Sequence, residues 1–121
     1  MSKITMTVWG REFELPIHYQ NYEDEDITEI QKQTVLSLSS IEFAQSEQML
    51  KQYLIEKNSD ELTEVNNVFK YVMPHSILIP RDPVNRVFGI MCDYRMDIEH
   101  GLTVVFENEY CKEIGPQDII L

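Results

Sequence analysis

Four side chains with ligand or acid–base chemistry lie close together near the C-terminus: Asp93, Asp97, Glu99 and His100. A histidine beside two or three carboxylates is a plausible ligand set for a hard or borderline divalent metal ion. The same set could act as a general acid and base, because histidine titrates near neutral pH and a neighbouring carboxylate fixes its tautomer. A purely structural interpretation also fits, in which the carboxylates accept backbone N–H bonds in a turn and Gly101 supplies an unusual backbone angle.

The spacing of these residues matches neither H-E-x-x-H nor the calcium loop D-x-D-x-D-G. The four glycines of the chain form no phosphate-binding loop, and no G-x-S-x-G elbow surrounds Ser76 and its neighbour His75. We therefore favour the structural interpretation and predict no cofactor, no bound metal and no catalytic residue. The alternative is a metal-dependent or acid–base enzyme centred on residues 93–100.

Charge is the other chemical feature of the sequence. The chain carries 21 Asp and Glu against 10 Lys and Arg, which gives a net charge of −11 and a pI near 4.5. Such a charge repels phosphate backbones and anionic lipid surfaces, so we predict no nucleic-acid partner and no membrane binding. The densest acidic run is Glu23, Asp24, Glu25 and Asp26. Runs of this kind are usually solvated faces, but this one could also dock a basic partner.

The acidic run supports our first functional hypothesis, a protein-binding domain without enzymatic activity. Opposed charge speeds encounter and discriminates between partners. A protein that blocks a basic enzyme, such as a nuclease, would have this composition. A further alternative is a homo-oligomeric structural module that uses the second predicted helix as its self-contact.

The compartment is predicted from what the sequence lacks. No apolar run approaches the roughly 20 residues that a bilayer requires. Residues 1–9 lack the basic and apolar regions of a secretory signal, so we expect a cytoplasmic protein. Cys92 and Cys111 fall in predicted strands, where a free cysteine usually acts as a small buried hydrophobe.

The 121 residues, 43% of them hydrophobic, suit one domain that spans residues 1–121. Residues 4–9 alternate and are rich in β-branched and aromatic side chains, which predicts a strand. Gly10 and Arg11 offer a tight turn into a second alternating stretch that ends near Tyr19. Pro16 cannot donate a ladder hydrogen bond, which predicts that this second strand lies at an edge of the sheet.

Three helices are predicted between the N-terminal hairpin and the later strands. Capping boxes start the first two helices: Asp26 with Glu29, and Ser39 with Glu42. The second helix runs to about Glu56 and has several apolar stripes, a breadth that implies deep burial or a second contact surface. A third helix is stopped by Pro74 and is marked by apolar residues at helical spacing: Leu62, Val65, Phe69 and Val72.

The C-terminal part changes from helical to alternating periodicity. Strands are predicted over residues 76–79, 86–94, 102–106 and 110–114, the last two joined by a turn at Asn108 and Glu109. Residues 118–121 are predicted to form a short strand or an extended tail. Because helices and strands are segregated along the chain, we predict an α+β fold. Its antiparallel sheet comprises the N-terminal hairpin and a C-terminal meander, with about three helices on one face.

Two C-terminal segments carry a family resemblance: Asp97-Ile-Glu-His-Gly-Leu-Thr-Val-Val-Phe-Glu-Asn108 and Ile114-Gly-Pro-Gln-Asp118. Together they resemble a family of small bacterial domains of unknown function, which pair an acidic-x-E-H-G-L stretch with a closing hairpin and an I-G-x-x-D end. Residues 71–82 fit the same family loosely, and the preceding part fits in outline. The resemblance implies a bacterial cytoplasmic α+β domain without assigned catalytic residues. Some members resemble immunity proteins encoded near bacterial toxins, which implies partner binding.

Overall fold

A computed structural model describes residues 2–21 and 25–120 of the chain. The strands are β1 (Lys3–Val8), β2 (Arg11–Tyr19), β3 (Val72–Ile79), β4 (Val87–Tyr94), β5 (Leu102–Glu107) and β6 (Tyr110–Gly115). Two α-helices occur among the described residues, α1 (Glu29–Ser37) and α2 (Ala44–Lys57). Single 3-10 turns cover Leu38–Ser40, Val68–Lys70 and Gln117–Ile119. The predicted α+β class is confirmed, but the described residues contain two α-helices and not three.

All six strands belong to one sheet in the order β1-β2-β3-β4-β5-β6. Neighbouring strands are antiparallel except β2 and β3, which run parallel over three residue pairs, from Ile17 with Ile77 to Tyr19 with Ile79. Parallel neighbours need a long crossover connection, and both helices lie in the connection between these two strands. The sheet is therefore mixed, where the sequence predicted a purely antiparallel one.

The first hairpin differs from its prediction in two details. Its turn is at Trp9 and Gly10, both with positive φ (51° and 86°), which is the backbone of a type I′ hairpin turn. The strand that contains Pro16 is also not at an edge, because β2 lies between β1 and β3. Proline is tolerated there because the ladder to β3 begins only at Ile17, whose own N–H points to the other side and bonds to Ser2 O (2.8 Å).

Helix α1 begins later than predicted because a different capping box starts it. Thr28, and not Asp26, is the N-cap: its Oγ1 accepts from Gln31 N (3.1 Å), and Gln31 Oε1 accepts from Thr28 N (2.9 Å). Gln31 is buried and also donates to the carbonyls of Gln20 and Ile79 (both 3.2 Å). The amide thus fixes the helix start to the ends of β2 and β3, a tertiary reason for the choice of cap.

Helix α2 also begins without its predicted capping box. The hydroxyls of Ser39 and Ser40 bond back to Leu36 O (3.4 Å) and Ser37 O (2.9 Å), so the chain forms a 3-10 turn before α2. The breadth of the apolar surface of α2 is explained by burial. Leu50 and Leu54 are fully buried, and the other stripes pack around the same core through partly buried side chains: Phe43, Met49, Tyr53 and Ile55.

The predicted third helix is wrong. Residues 58–67 are irregular, and only the single turn Val68–Lys70 is helical. Asn67 Oδ1 accepts from Phe69 N (3.0 Å) and so caps the start of this turn, and the extended backbone of Asn67 separates the turn from the residues before it. Val65 and Val68 are nevertheless buried, so the apolar spacing reflects a loop packed on the core. Pro74 lies inside β3, next to an irregularity in the ladder to β4.

One face of the sheet packs with the helices. Side chains that alternate along the strands form a single core with Leu38, Leu50 and Leu54: Met6, Val8, Leu15, Ile17, Ile77, Ile79, Phe88, Ile90, Leu102, Val104 and Phe106. Phe88 and Phe106 stack with their ring centroids 4.6 Å apart. Near the edge strand β6, the side chain of Gln45 in α2 bonds to both backbone groups of Cys111, N at 3.1 Å and O at 3.3 Å. This contact protects that edge from pairing with another chain.

The opposite face of the central strands is covered by the C-terminal segment, which forms a 3-10 turn and not the predicted strand or extended tail. A β-carbon at Gly89 would lie 2.7 Å from Cδ1 of Ile120, and one at Gly115 would lie 3.2 Å from Ile119. Gln20 Nε2 donates to Ile120 O at 3.4 Å. The segment that contains Ile119 and Ile120 therefore runs over this face of the sheet, from Gly115 in β6 past Gly89 in β4 to Gln20 after β2. Leu121, the last residue of the predicted tail, lies outside the described residues.

Both cysteines are free and buried, as predicted. Burial raises the pKa of the Cys92 thiol well above its ordinary value and raises the pKa of Cys111 to about 11. Within the residues described, none of the helices has the length and apolar character needed to cross a membrane.

Candidate functional site at the connection between β4 and β5

The candidate residues of the sequence lie at the end of β4 and in the connection that follows it. The connection spans residues 95–101 and is closed by local hydrogen bonds. Gly101 N donates to Asp97 O (3.0 Å), and His100 N donates to Asp97 Oδ1 (3.2 Å). Gly101 has a φ of 63°, in the left-handed region that favours glycine. Asp97 and Gly101 therefore have the turn-forming roles predicted for them.

Asp97 and His100 form an exposed pair. His100 Nδ1 lies 3.1 Å from both carboxylate oxygens of Asp97. The hydrogen bond and the charge of Asp97 raise the pKa of His100 above 6.5, with smaller contributions from Glu99 and Asp118. The hydrogen bonds from His100 lower the pKa of Asp97. Near neutral pH this turn therefore holds a carboxylate beside a histidine that protonates more readily than usual.

The electrostatic neighbours of His100 define an acidic cluster, which consists of Asp97, Glu99 and Asp118. Glu99 and Asp118 are exposed, and the C-terminal segment brings Asp118 to the turn because Gln117 N donates to His100 O (3.1 Å). Five Lys or Arg side chains form ion pairs in the described part of the chain, and none of these pairs involves the acidic cluster. Because Asp97 pairs with His100, the excess negative charge of the cluster lies on Glu99 and Asp118.

Asp93, the fourth candidate, lies near His75 and is not paired with His100. Its Oδ1 lies 4.0 Å from Nε2 of His75, whose Nδ1 is 3.0 Å from Ser76 Oγ. Gln117 Nε2 is 3.3 Å from the same His75 Nε2 and donates to Cys92 O (3.2 Å). Ser76 is only 6% exposed, so its hydroxyl is not presented to solvent as a nucleophile.

The proposed metal ligands are thus split between two neighbouring networks. Asp97 contacts His100, whereas Asp93 approaches His75. Glu99 affects the pKa of His100 through its charge alone. Over residues 2–21 and 25–120, no group of three or more His, Cys, Asp or Glu side chains is arranged to hold a metal ion. The arrangement offers the hydrogen-bonded Asp97–His100 pair for proton transfer and an acidic surface for a cationic partner.

A shallow groove of about 250 Å³ adjoins this site. It lies between residues 69–73 and residues 93–98, and the hydrogen bond from Arg95 N to Tyr71 O (2.8 Å) ties its two sides together. Two of its lining side chains are exposed large hydrophobics, Ile98 at 87% and Met73 at 37%. Lys70 and Arg95 also line it. The groove therefore combines apolar and cationic side chains beside an acidic turn.

The other predicted acidic surface is only partly described. Glu23 and Asp24 lie outside the described residues. Glu25 pairs with Arg81 (Oε2 to Nη2, 2.7 Å), and Arg81 also donates to Asp26 O (3.3 Å). Arg81 thus offsets part of the negative charge of this run.

Sequence reasoning missed the contributions of His75, Gln117 and Asp118 to the site, and also its groove. The exposed isoleucine of the connection, Ile98, was a detectable signal, because an apolar residue inside a polar turn needs an explanation. The contacts of the C-terminal segment had no local signal. They depend on a sheet face that only the assembled strands create.

The whole chain, residues 1–121, matches the family model described as a domain of unknown function, DUF6985. No curated protein matches the chain, and no solved structure matches it. The chain therefore belongs to the family of the domain of unknown function DUF6985.

Proposed function

We propose that this domain is a non-enzymatic protein-binding module that docks a basic partner, in the manner of an immunity-type inhibitor of a basic toxin or nuclease. The observation that carries the proposal is the acidic cluster of Asp97, Glu99 and Asp118: among the described residues Glu99 and Asp118 form no ion pair, and Asp97 pairs only with His100. Fixed charges of one sign guide encounter with an oppositely charged surface and discriminate against others.

The rigidity of the turn supports this proposal. Asp97 bonds to two groups of His100, the backbone N–H and Nδ1, which is shared between both carboxylate oxygens. A backbone bond from Gln117 N to His100 O holds the segment that contains Asp118 against the same turn. Because the Asp97 carboxylate is already positioned, it loses less conformational entropy when a cationic partner binds. The acidic run of the sequence from Glu23 to Asp26 is our second candidate contact for the same partner. Of its described residues, Glu25 pairs with Arg81, which offsets part of the charge.

The test begins with affinity purification of the tagged domain from its host at low salt, with the captured protein identified by mass spectrometry. Binding of the purified partner is then measured for wild type, for Glu99→Lys/Asp118→Lys and for the control Glu61→Lys. Glu61 is exposed and lies in the turn after α2. We expect a basic partner, affinity that falls with salt, and a loss of about tenfold or more in the double variant only. The proposal would be refuted by a partner whose affinity does not change with salt concentration and is the same for wild type and the double variant.

The Asp97–His100 pair supports a second candidate, general acid–base catalysis. A carboxylate on Nδ1 orients the imidazole and leaves Nε2 for a substrate proton. Hydrolysis of p-nitrophenyl acetate and p-nitrophenyl phosphate would test it. Turnover that is lost in His100→Ala and retained in the control His18→Ala would favour catalysis, whereas equal rates in all three proteins would refute it for these substrates.

A further inference from the structure

The groove between residues 69–73 and 93–98 is lined by more cationic than anionic side chains, although the chain as a whole is acidic. In a chain of net charge −11, its lining includes two cations, Lys70 and Arg95. Within the described residues neither forms an ion pair with a carboxylate, whereas five other Lys or Arg side chains do. A third cation, Arg11, lies over the ring of Phe69, another groove residue, with its Cζ 4.4 Å from the ring centroid.

Apolar surface accompanies these charges. Ile98 exposes 87% of its surface and Met73 exposes 37%, and both line the groove. Exposed apolar side chains that share one concave surface are typical of a contact site, whereas single scattered ones are common on any protein. The one carboxylate in the lining is Asp93, which approaches His75 at the side nearest β3.

We propose that this groove binds a peptide segment of a partner protein in which an apolar side chain is flanked by carboxylates. The apolar side chain lies against Ile98 and Met73, and the carboxylates pair with Lys70 and Arg95. Charge complementarity argues for an acidic segment, because those two cations lack an internal partner among the described residues. The shallow volume, about 250 Å³, argues for a surface segment and not for an enclosed small molecule. The inference does not rest on the proposed function, which concerns the acidic cluster and a basic partner.

The test uses a capped pentapeptide in which leucine is flanked by two glutamates, with glycine at both ends. Its binding is followed by amide NMR shifts of the full-length domain at millimolar peptide. Two control peptides replace the glutamates with lysines or the leucine with serine. We expect shifts confined to residues 69–73 and 93–98, and at least about fivefold weaker binding for both controls.

Matched variants locate the contacts. Lys70→Gln/Arg95→Gln is expected to weaken binding about three- to tenfold through loss of two exposed charge pairs, and Ile98→Ser by about tenfold. The controls Lys32→Gln and Leu36→Ser change a comparable cation and a comparable exposed apolar side chain on α1, and should leave binding unchanged. Unchanged amide spectra outside the groove verify that each variant is folded.

Three results would overturn the inference. The first is the absence of shifts at the groove, and the second is equal binding of the lysine peptide. The third is a set of groove shifts that depend on protein concentration without peptide, since these would identify a second copy of the chain as the occupant.

Discussion

Replacement of Gly101 by alanine should destabilise the domain more than a glycine substitution in an ordinary hairpin turn. Gly101 has a φ of 63°, and a β-carbon there would lie 2.6 Å from Gln117 Nε2 and 3.1 Å from Cys92 O. The left-handed backbone costs a residue with a β-carbon about 1–2 kcal/mol. Displacement of Gln117 also breaks its 3.2 Å bond to Cys92 O, a loss of about 0.5–1.5 kcal/mol. We expect a total of about 1.5–3.5 kcal/mol.

Gly10→Ala is the matched control. Gly10 has a φ of 86°, and no atom lies within 4 Å of a β-carbon built there. Because 86° is further than 63° from the ideal left-handed value of about 57°, backbone strain alone would make the control the more costly substitution. Steric contact with the C-terminal segment reverses this order.

Urea unfolding of the three proteins measures the difference. With a slope of about 2 kcal/mol per M, Gly101→Ala should lower the midpoint by about 1–2 M, and Gly10→Ala by less than 1 M. The double variant Gly101→Ala/Gln117→Ser should be less destabilised than the sum of the two single variants, because both disturb the same contact. If Gly10→Ala destabilises as much as Gly101→Ala, the C-terminal segment contributes nothing at this position and the reasoning is wrong.

Three further predictions concern single interactions. Asp97→Asn should lower the pKa of His100 towards 6.5, as measured by NMR titration of the ring. Ser46→Ala should lower the free energy of unfolding by about 1–3 kcal/mol, because Trp9 Nε1 donates to Ser46 Oγ (2.9 Å) in the buried core and would lose its acceptor. Cys111, with its pKa raised to about 11, should react with iodoacetamide at pH 8 far more slowly in the folded domain than in urea.

Each of these three predictions can be contradicted by a specific measurement. Glu99→Gln is the control for the first, because Glu99 is a smaller influence on His100, and an equal fall in both variants would refute the hydrogen-bond explanation. For the second, Ser46→Ala should cost little in a Trp9→Phe background, which has no indole donor. For the third, equal alkylation rates with and without urea would show that the thiol is accessible.

The pH dependence of the Asp97–His100 pair follows from the directions of the two shifts. The raised pKa of His100 adds stability that is fully present below the unfolded pKa and is lost as the pH rises through the folded pKa. The lowered pKa of Asp97 adds stability that is present above its unfolded pKa and is lost as the pH falls through the folded pKa. The pair is therefore most favourable in weak acid, between those two titrations. Urea unfolding of wild type and Asp97→Asn should differ most in that range.

Sequence patterns were sufficient to predict those elements whose contacts are between residues close together in the chain. The hairpin between β5 and β6 was predicted from alternation and a turn at Asn108 and Glu109, and both residues have positive φ in the structure, 50° and 72°. The α+β class likewise followed from the segregation of helical and alternating periods. The capping box of α1 shows the limit of such signals. Asp26 and Thr28 are both good N-caps, and the choice depended on where the buried amide of Gln31 could bond.

The sequence by itself determined the class of the fold, the positions of most strands and the excess of negative charge, because periodicity, turn residues and composition are local or additive properties. Only the tertiary structure decided that β2 and β3 run parallel and that residues 58–67 form a loop. It also decided that Asp93 lies apart from the Asp97–His100 pair. The cations of the groove come from the turn before β3 and from the connection after β4, and Asp118 reaches His100 from the C-terminal segment. Such neighbours depend on how the sheet is assembled, so no spacing along the chain could have revealed them.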